Sequence, residues 1–295
     1  SPEGGAYSTR KFYTLVGNLT TMPKAPPFGE AGNLRGFRRR IKMSKTVWIT
    51  GASSGIGQEF ARRYAKLGCR LILTARRTDR LEALAAKLGK PCRILPADLA
   101  REEDCQRLFK ELEGETIDIF INNAGFGVCG SYLETDDARE EEMIRVNVEA
   151  MARLFRFAVR RMHAAGGGTI LNVASSAGLL PSGPYMAGYY ASKAYVVSLT
   201  RGVAEELREL HSPVYVCALC PGPVDTEFND RAGVVFALKG ITPEFCVQEA
   251  MHGMMHRKTI IVPSAFMRAC TAAQKLVPTG LLMPIVAKQQ KKKLG

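Results

Sequence analysis

From residue 46 onward, short apolar runs alternate with segments of helical period, and this alternation constrains the fold more than any other feature of the sequence. Runs that are apolar on both faces need crossover helices between them, and those helices cover both sides of a parallel sheet. The runs fall at 46–50, 70–75, 92–97, 117–121, 168–174, 214–220 and 258–262. Helical stretches lie near 56–67, 79–88, 101–113, 136–164, 187–210 and 243–256, with Gly68 and Gly89 as stops and Asp79 as a start. The pattern predicts an α/β protein with a single doubly wound domain and a seven-stranded parallel sheet. No repeat or linker interrupts the series, so the domain is read as 43–295, including a basic C-terminal tail. Residues 1–42, rich in Gly and Pro, are expected to be a disordered or non-native N-terminal extension, with Met43 as the candidate natural start.

Charge and composition narrow the partners. The 295 residues carry 41 Lys+Arg against 28 Asp+Glu, a net +13, yet residues 1–45 hold nine basic and two acidic side chains and the last eight residues hold four lysines. The body between them is close to neutral, whereas a nucleic-acid-binding domain shows its excess on the folded body, so no nucleic acid is expected. Eight cysteines are scattered through apolar or helical patterns, as expected of buried thiols in a reducing, cytoplasmic setting. Cys217 and Cys220 have redox or zinc spacing but no second pair, and read as strand thiols. His252 and His256 stand four apart with no Glu between them, so no metal is expected. The charge-free stretch 162–192 contains Gly166, Gly167, Gly168, Pro181 and Pro184, which argue against a transmembrane segment. The apolar 280–287 segment with Lys288, Lys291, Lys292 and Lys293 reads as a solvated, frayed end, with weak peripheral membrane contact as the alternative.

The chemistry lies in loops that follow the strands. Gly51, Ser53, Ser54, Gly55, Ile56 and Gly57 connect the first strand to the first helix, where glycines let backbone N–H groups and the positive helix end meet a pyrophosphate. This context predicts a Rossmann-type dinucleotide site. The second strand ends at Arg76 and Arg77, where an NAD site would place an acid for the ribose 2′-hydroxyl, and two guanidinium forks favour NADP(H). Asp98 and Leu99 follow the third strand, with Asp98 a candidate acceptor for the adenine amine, and Asn123, Ala124 and Gly125 follow the fourth. Tyr189 and Lys193, four apart on a helix, face one way, and a nearby ammonium lowers a phenol's pKa. Ser175 is placed to donate to a substrate carbonyl, and Asn147 to hold a water linked to Lys193.

Together these residues resemble the short-chain dehydrogenase/reductase family, over essentially all of 44–263. The T-G-x-x-x-G-I-G turn, N-N-A-G, a helix Asn, Ser, Y-x-x-x-K and the run Pro221-Gly222-Pro223-Val224-Asp225-Thr226 occur in the family's order. The resemblance implies a catalytic tetrad of Asn147, Ser175, Tyr189 and Lys193, with cofactor contacts from Pro221, Gly222 and Val224 and with Thr226 near the nicotinamide carboxamide. Ser175 is preferred over Ser176 because Gly178 matches the family's glycine three residues after the catalytic Ser. The expected activity is an NADP-dependent carbonyl reductase or alcohol dehydrogenase. Leu179, Leu180, Tyr185, Met186, Phe228, Val234, Val235, Phe236 and Leu238 suggest apolar pocket walls and a bulky, steroid- or lipid-like substrate. The alternatives are a 3-oxoacyl-thioester reductase and a non-catalytic NADP(H)-binding regulatory protein. The resemblance also implies a homodimer or homotetramer on the 136–164 and 187–210 helices, where Arg153, Arg156, Arg160 and Arg161 form a stripe that could meet Glu205, Glu206 and Glu209 of another copy.

Overall fold

The computed structural model describes residues 45–228 and 240–291. The expected extension 1–42, the loop positions Val234, Val235, Phe236 and Leu238, and Lys292 and Lys293 lie outside the described residues. Seven parallel strands form one sheet in the order β3-β2-β1-β4-β5-β6-β7. They are β1 (Thr46–Thr50), β2 (Arg70–Thr74), β3 (Cys92–Ile94), β4 (Ile119–Asn122), β5 (Gly168–Val173), β6 (Val214–Leu219) and β7 (Ile260–Ile261). The helices between them are α1 (Gly55–Lys66), α2 (Thr78–Leu88), α3 (Glu102–Glu111), α4 (Asp137–Ile144), α5 (Met151–Ala164), α6 (Ala187–Glu209) and α7 (Pro243–Met255). This is the doubly wound α/β architecture the alternation predicts.

Sequence sets each boundary. The first strand is buried throughout, and Trp48 stacks on Phe120 of β4 with ring centroids 4.1 Å apart while its indole N–H donates to Thr74 on the other side. Gly68 and Gly89 follow α1 and α2 at φ +85° and +60°, the left-handed region that ends helices. Strand β3, at the edge of the sheet, is shorter than the predicted 92–97, although Leu95 and Ala97 still donate to the carbonyls of Leu73 and Ala75; the N–H that Pro96 lacks would face away from β2, where a proline is tolerated. Two buried amides tie the centre: Asn122 donates to Asn172 across β4 and β5 and to the carbonyl of Met151, and Asn172 donates to Thr200 of α6.

Two expectations change. The predicted 136–164 helix is interrupted by a π-helical segment, Arg145–Ala150, between α4 and α5. Asn147 projects from that wide turn, a feature hydrophobic period cannot register. The 280–287 segment, expected to belong to a frayed end, is helical through Lys291: the chain after 263 forms α8 (Ala265–Ala273), a short 3-10 turn at Gln274–Leu276, and α9 (Thr279–Lys291). Leu282, Val286 and Gln290, at i, i+4 and i+8, are buried along one face of α9, which gives this helix the packing that isolated short helices lack. Among the described residues no helix is long and apolar enough to cross a membrane. Cys217 lies in β6 and Cys220 directly follows it, and burial pushes both thiols up to about 12.

Candidate active site

Order in the chain reverses between β1 and β4, and the loops leaving the carboxyl ends of the strands meet there, where open α/β sheets bind ligands. The Gly51–Ser54 turn runs from β1 into α1. Gly51 sits at φ +64°, and a Cβ on Gly57 would collide with the Gly51 carbonyl, so the turn closes this tightly only with glycine. Thr50 fixes it to the next loop, accepting from the N–H groups of Asn123 and Ala124 at 2.9 and 3.1 Å, while the Asn123 amide donates to the carbonyls of Thr50 and Gly51. Ser54 makes no side-chain cap bond and the first turn of α1 carries no acid, so its N–H groups suit a phosphate. Ile56 is half-buried in that turn. Thr226 packs against Gly55, close to where a Cβ would sit.

The second half of the site is built on α6. Tyr189 and Lys193 share one face, with the Lys193 Nζ 5.9 Å from the Tyr189 ring centroid. The ammonium donates to the carbonyl of Val173 at the end of β5, at 3.0 Å. Asn147 clamps the loop from the other side, its amide donating to the Phe126 carbonyl at 2.8 Å and accepting from the Phe126 N–H at 3.1 Å. It also donates to Ser192, whose hydroxyl donates in turn to the Tyr189 carbonyl. A Cβ on Gly125 would come within 2.8 Å of the Asn147 Oδ1 and 3.2 Å of the Lys193 Nζ, so a glycine here lets both groups reach one spot. The Ser175 hydroxyl acts to lower the Tyr189 pKa, and it accepts from the Ala177 N–H. Ser176 is buried, and its backbone N–H donates to the Pro221 carbonyl at 2.7 Å.

Electrostatics in this protein depart from the expected lowering of Tyr189. Burial pushes the Tyr189 phenol up to about 12, only partly opposed by Ser175, and the Lys193 ammonium does not offset it. Burial also brings Lys193 down to about 8. Burial is the main cause of both shifts, and around Tyr189 water is kept out by Val128, Met143, Met186, Tyr190 and Phe228. Phe228 lies 5.6 Å from the Tyr189 ring.

The nucleotide-side residues are less free than their sequence suggests. Arg76 pairs with Glu142 at 2.7 Å, and Arg77 donates to Ser53 at 3.2 Å and to Glu227 at 3.1 Å. Asp98 closes a local turn, its carboxylate accepting from the Ala100 N–H while its own N–H donates to the Asp104 carboxylate; Leu99 is buried beside it. Val224 bridges to Ile241, and Gly222 packs against Met267 of α8. Gln290 of α9 donates to Tyr190 at 2.5 Å, bringing the C-terminal helix to the residue beside Tyr189. Thr50, Ser192 and Gln290 were not singled out by sequence. The first two lie inside the T-G and Y-x-x-x-K motifs, where a signal existed; Gln290 carried none.

A nicotinamide dinucleotide fits this donor set: uncapped helix N–H groups for the pyrophosphate, guanidinium and hydroxyl donors at the end of β2, and a buried phenol and ammonium beyond. The family model for short chain dehydrogenase matches residues 45–233. Estradiol 17-beta-dehydrogenase 11 of Homo sapiens is 31% identical over 252 residues, 83% of each chain. A short-chain dehydrogenase from Sphingobium yanoikuyae in complex with NADPH is similar at a TM-score of 0.72 and 35% identity, over 81% of this chain and 95% of that one. Another from Burkholderia phymatum in complex with NAD reaches 0.72 at 26% identity, over 78% and 92%. Motif order, sheet topology and these likenesses agree: the chain belongs to the short-chain dehydrogenase/reductase family of nicotinamide-dependent oxidoreductases.

Proposed function

We propose that this protein is an NADP(H)-dependent oxidoreductase that interconverts a carbonyl and a secondary alcohol on a bulky hydrophobic substrate. The observation that carries the reading is the convergence of Tyr189, Ser175 and Lys193 at one buried spot beside an apolar wall. Bound NADP(H) supplies or accepts the hydride. Ser175 donates to the substrate oxygen and Tyr189 exchanges the proton with it. A phenol near 12 holds its proton at neutral pH and gives it up only to a strongly basic oxygen, which suits an oxygen gaining charge as a carbonyl is reduced. Lys193, held at the end of β5 by its bond to the Val173 carbonyl, orients the ribose hydroxyls, and Asn147 holds the π turn, Phe126 and Ser192 in register around it. NADP(H) rather than NAD(H) is favoured by Arg76 and Arg77 and by the lack of an acid at the end of β2. Apolar walls at Met186, Leu180 and Phe228 favour a steroid- or acyl-like substrate, in line with the name of the human relative.

The test is NADPH oxidation across steroids, acyl thioesters and simple ketones, with wild type and Tyr189→Phe. The variant keeps the ring and loses the transferable proton, so kcat should fall at least ~100-fold while NADPH affinity stays within about twofold. A variant that keeps more than a tenth of the activity would show that another group is the acid.

A further inference from the structure

A single carboxylate next to the apolar wall of the cleft, Glu227, occupies two arginines beyond the end of β2, Arg77 and Arg80. Glu227 follows Thr226 and precedes Phe228, the residue whose ring lies against Tyr189. Its Oε2 accepts from Arg77 at 3.1 Å, and both its oxygens accept from Arg80 at 2.6 and 2.7 Å. Arg77 also donates to Ser53, so its guanidinium stands over the glycine turn where the adenosine half of a dinucleotide belongs. Partial burial would raise the Glu227 carboxyl, but hydrogen bonds from Arg80 and Arg77 outweigh it and hold the group ionised. A 2′-phosphate needs the same kind of donors, and a guanidinium N–H already facing a carboxylate cannot serve it in full.

We propose that Glu227 is a specificity-determining residue for the nucleotide: an internal carboxylate that occupies the Arg77 and Arg80 donors and that a 2′-phosphate must displace. The inference rests on the NADP(H) reading given above. It makes discrimination between phosphorylated and unphosphorylated nucleotide smaller than two free arginines would give. It also ties nucleotide choice to the pocket, since the residue released from Arg77 and Arg80 is bonded in sequence to Phe228.

The experiment uses fragments that carry the adenosine half alone, so catalysis plays no part. Calorimetric titration of 2′,5′-ADP and of 5′-AMP into the full chain compares wild type with Glu227→Gln and Glu227→Ala. Because the ion pairs are partly exposed, both variants should bind 2′,5′-ADP about three- to thirtyfold more tightly while 5′-AMP changes less than twofold. In an Arg77→Ala/Arg80→Ala background the effect of Glu227→Gln should shrink below twofold. Unchanged or weaker 2′,5′-ADP binding in the Glu227 variants, with wild type still preferring it to 5′-AMP, overturns the role of Glu227 and leaves the NADP(H) reading standing. Equal affinity for the two ligands in wild type and in both variants overturns the NADP(H) reading itself, and the inference with it. A full-sized gain that persists without the two arginines overturns the ion-pair account.

Discussion

Burial acts on Tyr189 and Lys193 in opposite senses, and the lysine carries a stability cost that can be measured. In the unfolded chain its ammonium titrates near 10.5, and in the folded protein near 8. Below pH 8 both states are charged and the folded state bears the full cost of the buried ammonium. Between pH 8 and 10.5 the unfolded chain holds a proton the folded chain has released, so stability rises with pH through that window. Lys193→Met, similar in volume and neutral, should therefore be more stable than wild type at pH 7 by about 1–3 kcal/mol, after allowing for the lost hydrogen bond to Val173, while catalysis is lost. Denaturant unfolding at pH 7 and pH 10 checks this: the advantage should narrow as pH rises, and a variant no more stable at pH 7 would refute it. Tyr189, whose raised pKa matters only above pH 10, is common to both proteins. At this scale the sequence was legible wherever a residue's chemistry is rare and its spacing fixed, as for Tyr189 with Lys193. It was not legible for the Val173 carbonyl that receives the ammonium, because backbone acceptors leave no mark in sequence.

Elements were legible to the extent that their burial is periodic. All seven strands and the six predicted helical stretches stand where apolar alternation put them, since burying both faces of a parallel sheet demands continuous apolar runs. The π turn at Arg145–Ala150 was invisible because one widened turn barely shifts the phase of the flanking helices. Helix α9 was missed because Gly280, Pro284 and the lysines that follow resemble loop composition, and only packing against the body rescues it. Gln290 anchors that packing through Tyr190, although its own Oε1 is buried without a partner, so the anchor is weaker than a fully satisfied one. Gln290→Ala should cost about 1–2 kcal/mol. Because Tyr190 adjoins Tyr189, the loosened wall should raise KM for a bulky ketone several-fold while changing kcat less. Thermal melts and steady-state kinetics on the same preparations would show both effects, and an unchanged KM would mean that α9 does not border the substrate.

At the scale of the whole molecule, the basic stripe on α5 is partly spent within the chain. Arg153 pairs with Glu102 at 2.7 Å, and Arg161 donates to the carbonyls of Glu113 and Glu115 and lies over the Phe157 ring. Arg156 and Arg160 are exposed, and on α6 Glu205 pairs with Arg208. Pairing of charges across a two-fold axis, the basis of the expected dimer, is thus left mainly to Arg156 and Arg160 against Glu206 and Glu209. Exposed ion pairs of this kind are worth at most about 1 kcal/mol each and are screened at high salt. An assembly on these helices must then draw most of its free energy from apolar contact, to which the exposed Ile144 of α4 and Tyr195 of α6 can contribute. We propose a homodimer or homotetramer in which α5 and α6 meet their copies, and we expect its dissociation constant to weaken by less than about tenfold between low and high salt, since only a few exposed pairs respond. Sedimentation velocity at micromolar concentration in both buffers is the measurement. A monomer under both conditions would refute the assembly, whereas complete dissociation by salt alone would restore the charge stripe as its main cause.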